Sequence, residues 1–460
     1  MADSFSVPNV SFAHSPMVCN RAHSAIQCHD NHWVADKMAD RNIWGYFDFF
    51  FLEAIRKSDS PHSVWRKMRE LRIGILTFHS QLNYGGVLQC WALQTVLEKM
   101  GHEVVVIDRW LHSDNRYLEC GFNKWRIRFW AKFLFRAMLG LGDWAILQRV
   151  KKTKRFINEY LHLTPCHFVE WKDAPKNIGI DLLVVGSDQV WHCGDWGDPR
   201  AYLLEGAPQI PAIAYAASFG MASLPEWTNK DKQISSISLY KDGLKRFRAI
   251  SCRETEGVTI CRSLGFDATH VVDPTLLAWL DGEKAEKKNE IVCYFMSEPI
   301  ADNIDELAEF AKRNRCTVKI LTKDPPLLPI PKSVRMLVQN RKRNAKIVSS
   351  NLQIMASASP AEFFDAFKTA KYVISDSFHA LMFSICFDCN VRILRPKSEF
   401  RKTMFARIEE FANHANGNLL VDTVHDALGS FNNGMMVEFD RSWLTAIRQD
   451  SLSWLQNAIA

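Results

Sequence analysis

The pentapeptide Ser375-Asp376-Ser377-Phe378-His379 lies between two apolar runs, Tyr372-Val373-Ile374 and residues 380–387. The first run is β-branched and aromatic and reads as a buried strand; the second is longer and reads as a helix. A polar turn between strand and helix falls at the carboxyl edge of a parallel sheet, where open α/β folds bind ligands. The opening N–H groups of such a helix have no intrahelical partner and favour an anion. An imidazole there can hold a phosphate or a carboxylate, or move a proton near neutral pH. The plain alternative is a histidine that only starts a helix.

Several other segments are spaced to present polar turns beside this one. Residues 73–78 read as a strand, 79–86 as a turn, 87–100 as a helix ended by Gly101, and 104–107 as the next strand, with Asp108 at its tip. Gly85 and Gly86 let the backbone approach a ligand closely. Apolar runs at 181–185, 212–216, 249–252 and 271–272 each end in a polar turn. These turns are Gly186-Ser187-Asp188-Gln189-Val190-Trp191, Ala217-Ser218-Phe219-Gly220, Arg253-Glu254 and Asp273-Pro274-Thr275. One such turn is ordinary; a repeated set implies a shared cleft. The dinucleotide fingerprint GxGxxG is absent, which argues against NAD despite Asp108.

A charged run, 281–290, reads as a linker to a second alternation. Strand 291–295, helix 304–313, strand 318–321 and a Pro-rich loop at 325–331 follow, then a capping box at Ser359-Pro360-Ala361-Glu362 whose helix leads into the opening strand. Residues 441–460 read as one more helix. The expected fold is α/β, with two Rossmann-like domains facing a cleft. Its parts are a poorly ordered N-terminal extension (1–70), a first domain (71–285), and a second (286–460) carrying His379 and the terminal helices.

With 47% hydrophobic and 23% charged residues the chain has a soluble, globular composition. A net charge of +6 over 460 residues permits an anionic substrate and does not suggest nucleic acid. Twelve cysteines without a framework fit a reducing compartment. The lone CxxC at Cys386 and Cys389 lacks the second pair that a zinc site needs, and His14, Cys19, His23, Cys28, His29 and His32 match no zinc spacing. With no secretory signal and no run of spanning length, the expected location is the cytoplasm. Residues 122–160 are basic and aromatic. They read either as a peripheral membrane contact or, preferred, as helices packed on the sheet with a solvated charged face.

Taken together in order, Asn83-Tyr84-Gly85-Gly86-Val87-Leu88-Gln89, Gly186-Ser187-Asp188-Gln189-Val190-Trp191, Tyr215-Ala216-Ala217-Ser218-Phe219-Gly220, Ser251-Cys252-Arg253-Glu254, Asp273-Pro274-Thr275-Leu276 and Ser375-Asp376-Ser377-Phe378-His379 resemble the polysaccharide pyruvyl transferase family. The resemblance covers about residues 71–415. It implies a fold like the two-domain GT-B glycosyltransferases and transfer of pyruvate from phosphoenolpyruvate to a glycan sugar as a ketal, on an acceptor that is free or lipid-linked. Arg253 matches the family arginine associated with donor binding. Within that chemistry His379 is the candidate for phosphate binding and proton transfer. Asp188 and Asp376 are candidates for orienting or deprotonating the acceptor; Asn83, Ser218 and Ser377 are further substrate contacts. No metal or cofactor is expected. Gly86, His192 and Ala380 stand where the family often has alanine, asparagine and glycine. The alternatives are a GT-B glycosyltransferase using a nucleotide-sugar and a non-catalytic glycan-binding protein of a polysaccharide cluster.

Overall fold

Two six-stranded parallel sheets carry the fold. In the first, β1 (Arg72–Leu76), β2 (Glu103–Val106), β3 (Leu182–Val185), β4 (Ala212–Ala217), β5 (Ala249–Cys252) and β6 (Thr269–His270) lie in the order β2-β1-β3-β4-β5-β6. In the second, β7 (Lys288–Phe295), β8 (Thr317–Thr322), β9 (Leu352–Met355), β10 (Ala370–Ser375), β11 (Asn390–Leu394) and β12 (Leu420–Val421) lie in the order β9-β8-β7-β10-β11-β12. This is a GT-B-like α/β architecture of two Rossmann-like domains. The computed structural model describes residues 70–80, 82–110, 143–175, 177–193, 198–224, 228–229, 234–280, 285–297, 300–322, 351–398 and 405–460, all within one compact unit. The expected N-terminal extension as far as residue 69, with its seven histidines and cysteines, the Pro-rich loop 325–331 and the first part of the basic stretch, 122–142, lie outside the described residues.

Strand direction along each sheet reverses its winding at one place: between β1 and β3 in the first, between β7 and β10 in the second. Connections leave to opposite faces there, and the carboxyl ends of such strands are where open α/β sheets bind ligands. The central strands of the first sheet are uninterrupted apolar runs because both faces are covered. β3 (LLVV) and β4 (AIAYAA) are buried at every position. The turns holding Ser187 and Asp188, and Asp376 to His379, follow β3 and β10, so both lie at switch points.

Helix α1 (Tyr84–Lys99) starts three residues earlier than the sequence suggested, because Asn83 caps it by accepting a bond from the Gly85 N–H (3.1 Å). Gly85 and Gly86 are therefore in its first turn rather than in a loop. The expected linker 281–290 is also shorter than its charge implies. Lys288, Asn289 and Glu290 belong to β7, and Glu290 pairs with Lys319 across the sheet (2.7 Å) at the strand's open end.

The two sheets share one hydrophobic core. Tyr84, at the start of α1, enters the second half. Its ring stacks on Phe363 (centroids 4.5 Å apart) and its hydroxyl donates to the Ala358 carbonyl (3.1 Å). Trp279 of α5 (Pro274–Trp279) stacks on Phe383 of α8 (Phe378–Cys386) in the same layer. Burial of one such ring stabilises by roughly 1.5–3 kcal/mol. Helix α2 (Asp143–Tyr160) adds a polar tie: Arg149 donates to the Leu82 carbonyl and to the Thr322 carbonyl (2.9 Å). In this described part of the basic stretch, Phe156 and Ile157 face the core and Lys152 pairs with Glu362 (2.8 Å), so it is a packed helix. No helix among the described residues is long and apolar enough to cross a membrane.

Candidate active site

The polar turns meet. Arg253, at the end of β5, is 2% exposed, and its Nη1 donates to Asp273 Oδ2 at 3.1 Å. His379, in the first turn of α8, places Nε2 3.8 Å from the same oxygen. A guanidinium from the first half and an imidazole from the second thus converge on one carboxylate. Asp188 Oδ1 lies 3.6 Å from Arg253 Nη2, and Glu254 Oε1 lies 3.5 Å from Arg253 Nε.

Each group is held by its own local structure. Asp273 caps α5: its Oδ1 accepts from the Thr275 N–H (3.0 Å) and hydroxyl (2.8 Å), and its Oδ2 from Ser187 (3.0 Å). A buried relay stands behind it, in which Gln89 donates to Thr77 and Thr77 to the Ser187 carbonyl. This accounts for Gln89 and Ser187 as scaffold. Gly186 has φ +114°, and a Cβ there would lie 2.3 Å from the Tyr215 carbonyl oxygen, so only glycine permits this turn. Asp188 Oδ1 accepts from the Gln189 N–H (2.9 Å), while its Oδ2 faces Gly86.

Gly85 marks a close approach between the halves. A Cβ at that position would fall 2.2 Å from His379 Nδ1. The imidazole therefore packs on bare backbone, and Gly85→Ala is expected to displace it. A displacement of about 1 Å costs on the order of 10²-fold in rate. The check is kcat/KM beside a melting curve: loss of rate with the fold retained supports this packing, and unchanged rate refutes it.

Two expected contacts sit one layer back. Asp376 accepts from the N–H groups of Met296 and Ser297 (2.8 Å for the latter) and from the Ser297 hydroxyl, bracing the end of β7 against the turn after β10. Ser218 is fully buried and donates to Glu254 (2.6 Å), which in turn faces Arg253. Both side chains bond the scaffold here, which favours a positioning role for each. Ser377 is the N-cap of α8 yet makes no side-chain cap bond. The first intrahelical bond of α8 runs from the Leu381 N–H to the Ser377 carbonyl (3.1 Å), so the N–H groups before it have no partner within the helix. Of the CxxC pair, Cys386 donates to the Thr275 carbonyl and Cys389 to the Phe367 carbonyl; burial raises both thiols, Cys389 to about 11.

One site residue was missed altogether. Arg407, on α9 (Ala406–Ala412), lies 3.8 Å from Glu254, and its guanidinium stands 5.0 Å from the centroid of the Phe378 ring, which Arg253 also faces at 4.6 Å. The signal that could have found it is charge: a site read as binding an anion calls for cations beyond Arg253.

Burial lowers the His379 pKa below the ordinary imidazole range; Asp188 and Asp273 pull it back up, and Arg253 and Arg407 push it further down. The imidazole is therefore neutral at pH 7 in the free protein. Burial opposes charge on Arg253 too, but Glu254, Asp188 and Asp273 outweigh it and hold the guanidinium charged. Burial likewise raises Asp273, and His379, Arg253 and the Thr275 bonds override it, so its carboxyl stays below the usual range. Three buried nitrogens of this cluster nevertheless have no hydrogen-bond partner: Arg253 Nη2, His379 Nε2 and Arg407 Nε. Such orphans are costly unless something else satisfies them.

A second pair lies behind Arg253. His270 Nε2 is 3.1 Å from the Arg253 carbonyl and Nδ1 is 3.4 Å from Glu410 Oε1. Burial, with Glu256 and Glu254, pushes Glu410 up to about 7, and burial lowers His270. Against a carbonyl His270 must carry its proton on Nε2. Glu410 is raised above its unfolded value near 4.5. Its stabilising contribution is therefore complete below about 4.5 and lost as pH rises through about 7. Glu410→Gln is expected to escape that loss, which is on the order of 2–3 kcal/mol. Urea unfolding at pH 4.5 and pH 8 checks it; equal losses in wild type and variant refute it.

The fold and this crevice define a two-domain, GT-B-like protein with a buried cation cluster at paired switch points. The polysaccharide pyruvyl transferase family model matches residues 83–398, and the chain belongs to that family, a family of transferases. No curated protein matches. Among solved structures the chain is similar to a Staphylococcus aureus MnaA–UDP co-structure (12% identity, 79% of this chain and 87% of that one, TM-score 0.41). It is similar as well to a Methanocaldococcus jannaschii UDP-GlcNAc 2-epimerase in complex with UDP-GlcNAc and UDP (13%, 80% and 92%, TM-score 0.39) and to Acinetobacter baumannii MurG (11%, 85% and 98%, TM-score 0.37). Likenesses this distant carry no functional argument.

Proposed function

We propose that this protein transfers pyruvate from phosphoenolpyruvate to a glycan, forming a ketal across two hydroxyls of one sugar. The observation that carries the reading is a pair of buried nitrogens with no hydrogen-bond partner, Arg253 Nη2 and His379 Nε2, beside the uncapped start of α8. That set fits a small phosphorylated acid: a guanidinium, an imidazole and helix N–H groups are strong phosphate donors, and Ser377 adds a hydroxyl.

A proton is added to the donor methylene, making it a methyl and leaving C2 cationic. A sugar hydroxyl attacks C2 and gives up its proton. The bond from C2 to the phosphate oxygen then breaks, and a second hydroxyl of the same sugar closes the ketal, its proton leaving with phosphate. Two hydroxyl protons are lost and two are gained, one by the methyl and one by phosphate. His379, neutral before substrate arrives, gains a proton as the phosphate dianion settles against it and passes it on. Asp188 accepts the hydroxyl proton through Oδ2, the oxygen on the Gly86 side. Asn83, at the mouth of α1, is a further acceptor contact. Asp376 and Ser218 hold the turns in place. The free cysteines among the described residues fit a reducing compartment, and the reading carries a cytoplasmic location.

The test is incubation with phosphoenolpyruvate and candidate glycans, free and lipid-linked, with released phosphate and product mass measured together. Equal amounts of phosphate and pyruvylated glycan support the reading. Thermal protection by a nucleotide-sugar and none by phosphoenolpyruvate overturns it.

A further inference from the structure

We infer that Arg407 is the second guanidinium of the donor site and takes the donor's carboxylate, while Arg253, His379 and the start of α8 take its phosphate. The inference rests on the pyruvyl-transfer reading above. No motif in the sequence marks Arg407. It reaches the site from α9, 28 positions after His379 in the chain.

Two carboxylate oxygens tie the groups together. His379 Nε2 and Arg253 Nη1 lie 3.8 and 3.1 Å from Asp273 Oδ2. Arg253 Nε and Arg407 Nη1 lie 3.5 and 3.8 Å from Glu254 Oε1. The imidazole and the open N–H groups belong to one helix start, a set suited to a tetrahedral dianion. Arg407 brings a planar fork whose buried Nε has no hydrogen-bond partner, suited to a planar carboxylate.

Arg407 is underused as it stands. Its separation from Glu254 is too long for a hydrogen bond. It faces the same side chain, Phe378, as Arg253 does, and the one Glu254 oxygen between the two guanidiniums reaches Arg407 only at 3.8 Å. Burial and then Arg253 draw the Arg407 pKa down to about 10, against the pull of Glu254, Asp188 and Asp273. A second carboxylate, bound directly by Arg407, supplies the charge-assisted hydrogen bonds that Glu254 does not.

The two halves of the donor can be titrated separately. Calorimetry with phosphoenolpyruvate reads both anionic groups; inorganic phosphate reads one. Wild type is expected to bind phosphoenolpyruvate at least about tenfold more tightly than phosphate. Arg407→Gln is expected to lose about ten- to a hundredfold for phosphoenolpyruvate while phosphate affinity stays within about twofold, so that the two affinities converge. Arg407→Lys is expected to fall between. Retained phosphate binding shows that the fold and the phosphate end are intact, a result that general structural damage does not give. Equal loss for both ligands, no loss for either, or a wild type that does not distinguish the ligands each overturns the assignment. A wild type that binds neither ligand removes the donor reading itself, which is a different failure from one confined to the variant.

Discussion

Arg253→Ala is expected to abolish transfer and to cost the fold about 3–5 kcal/mol, the usual consequence of taking one member from a buried ionic cluster. The reason is the company it keeps. Asp273, Glu254 and Asp188 surround a guanidinium whose side chain has no exposed surface, and Asp273 is itself inaccessible to water. Without the guanidinium, three carboxylates crowd one volume, and they must take up protons or repel. The unfolding midpoint in urea should therefore fall, and fall less at low pH, where carboxylates protonate. Arg253→Lys separates the roles: a point charge still neutralises the cluster but cannot offer the paired donors a phosphate needs. Its expected signature is a fold close to wild type with phosphoenolpyruvate affinity down about tenfold or more. Normal stability and normal phosphate release in Arg253→Ala would remove the residue from both roles.

His379→Gln is expected to behave differently, with transfer down by roughly 10²- to 10⁴-fold and little change in stability at pH 8. The imidazole is neutral there, so its removal strands no charge. The difference emerges in acid. His379 has a depressed folded pKa, so its contribution is present above the unfolded value near 6.5 and is lost as pH falls below it. Wild type should thus weaken between about pH 6.5 and 5 more than the variant does. Stability of both proteins measured across that range, beside phosphate release at pH 7.5, checks the two parts together. Near-normal turnover by purified His379→Gln would sink the assignment of His379.

The crevice was legible in the sequence to the extent that local chemistry marks it. Strand ends are apolar runs that stop at polar residues, and this alone placed Asp188, Arg253, Asp273 and His379 on one edge. What was lost depended on distance across the fold. Tyr84 reads as a turn residue, yet it opens α1 and plugs the second half through Phe363 and Ala358. Gly85 reads as a glycine that lets the backbone approach a ligand, yet the group it admits is an imidazole from nearly 300 positions away. Ser218 and Asp376 have the right type and the right address but spend their bonds on Glu254 and on the Met296–Ser297 backbone. Arg407 follows a charged stretch with no period or motif, so nothing local separates it from a solvated arginine. Strand β9 was not anticipated either: Gln353 and Ile354 face solvent at the sheet edge, which leaves too short an apolar signal.

The last helix, α11 (Arg441–Ile459), follows the second sheet in the chain but lies against the first. Ser451 receives the Val272 N–H (3.0 Å), Trp454 packs beside Tyr215, and the Ala458 and Ile459 carbonyls accept from Arg248. On the ribosome, then, the earlier-made half cannot seal its own flank until nearly two hundred more residues have emerged. The first sheet must wait with that side uncovered, exposed to chaperones and to wrong partners, and maturation of the two halves becomes a single event timed by the arrival of residues 441–459.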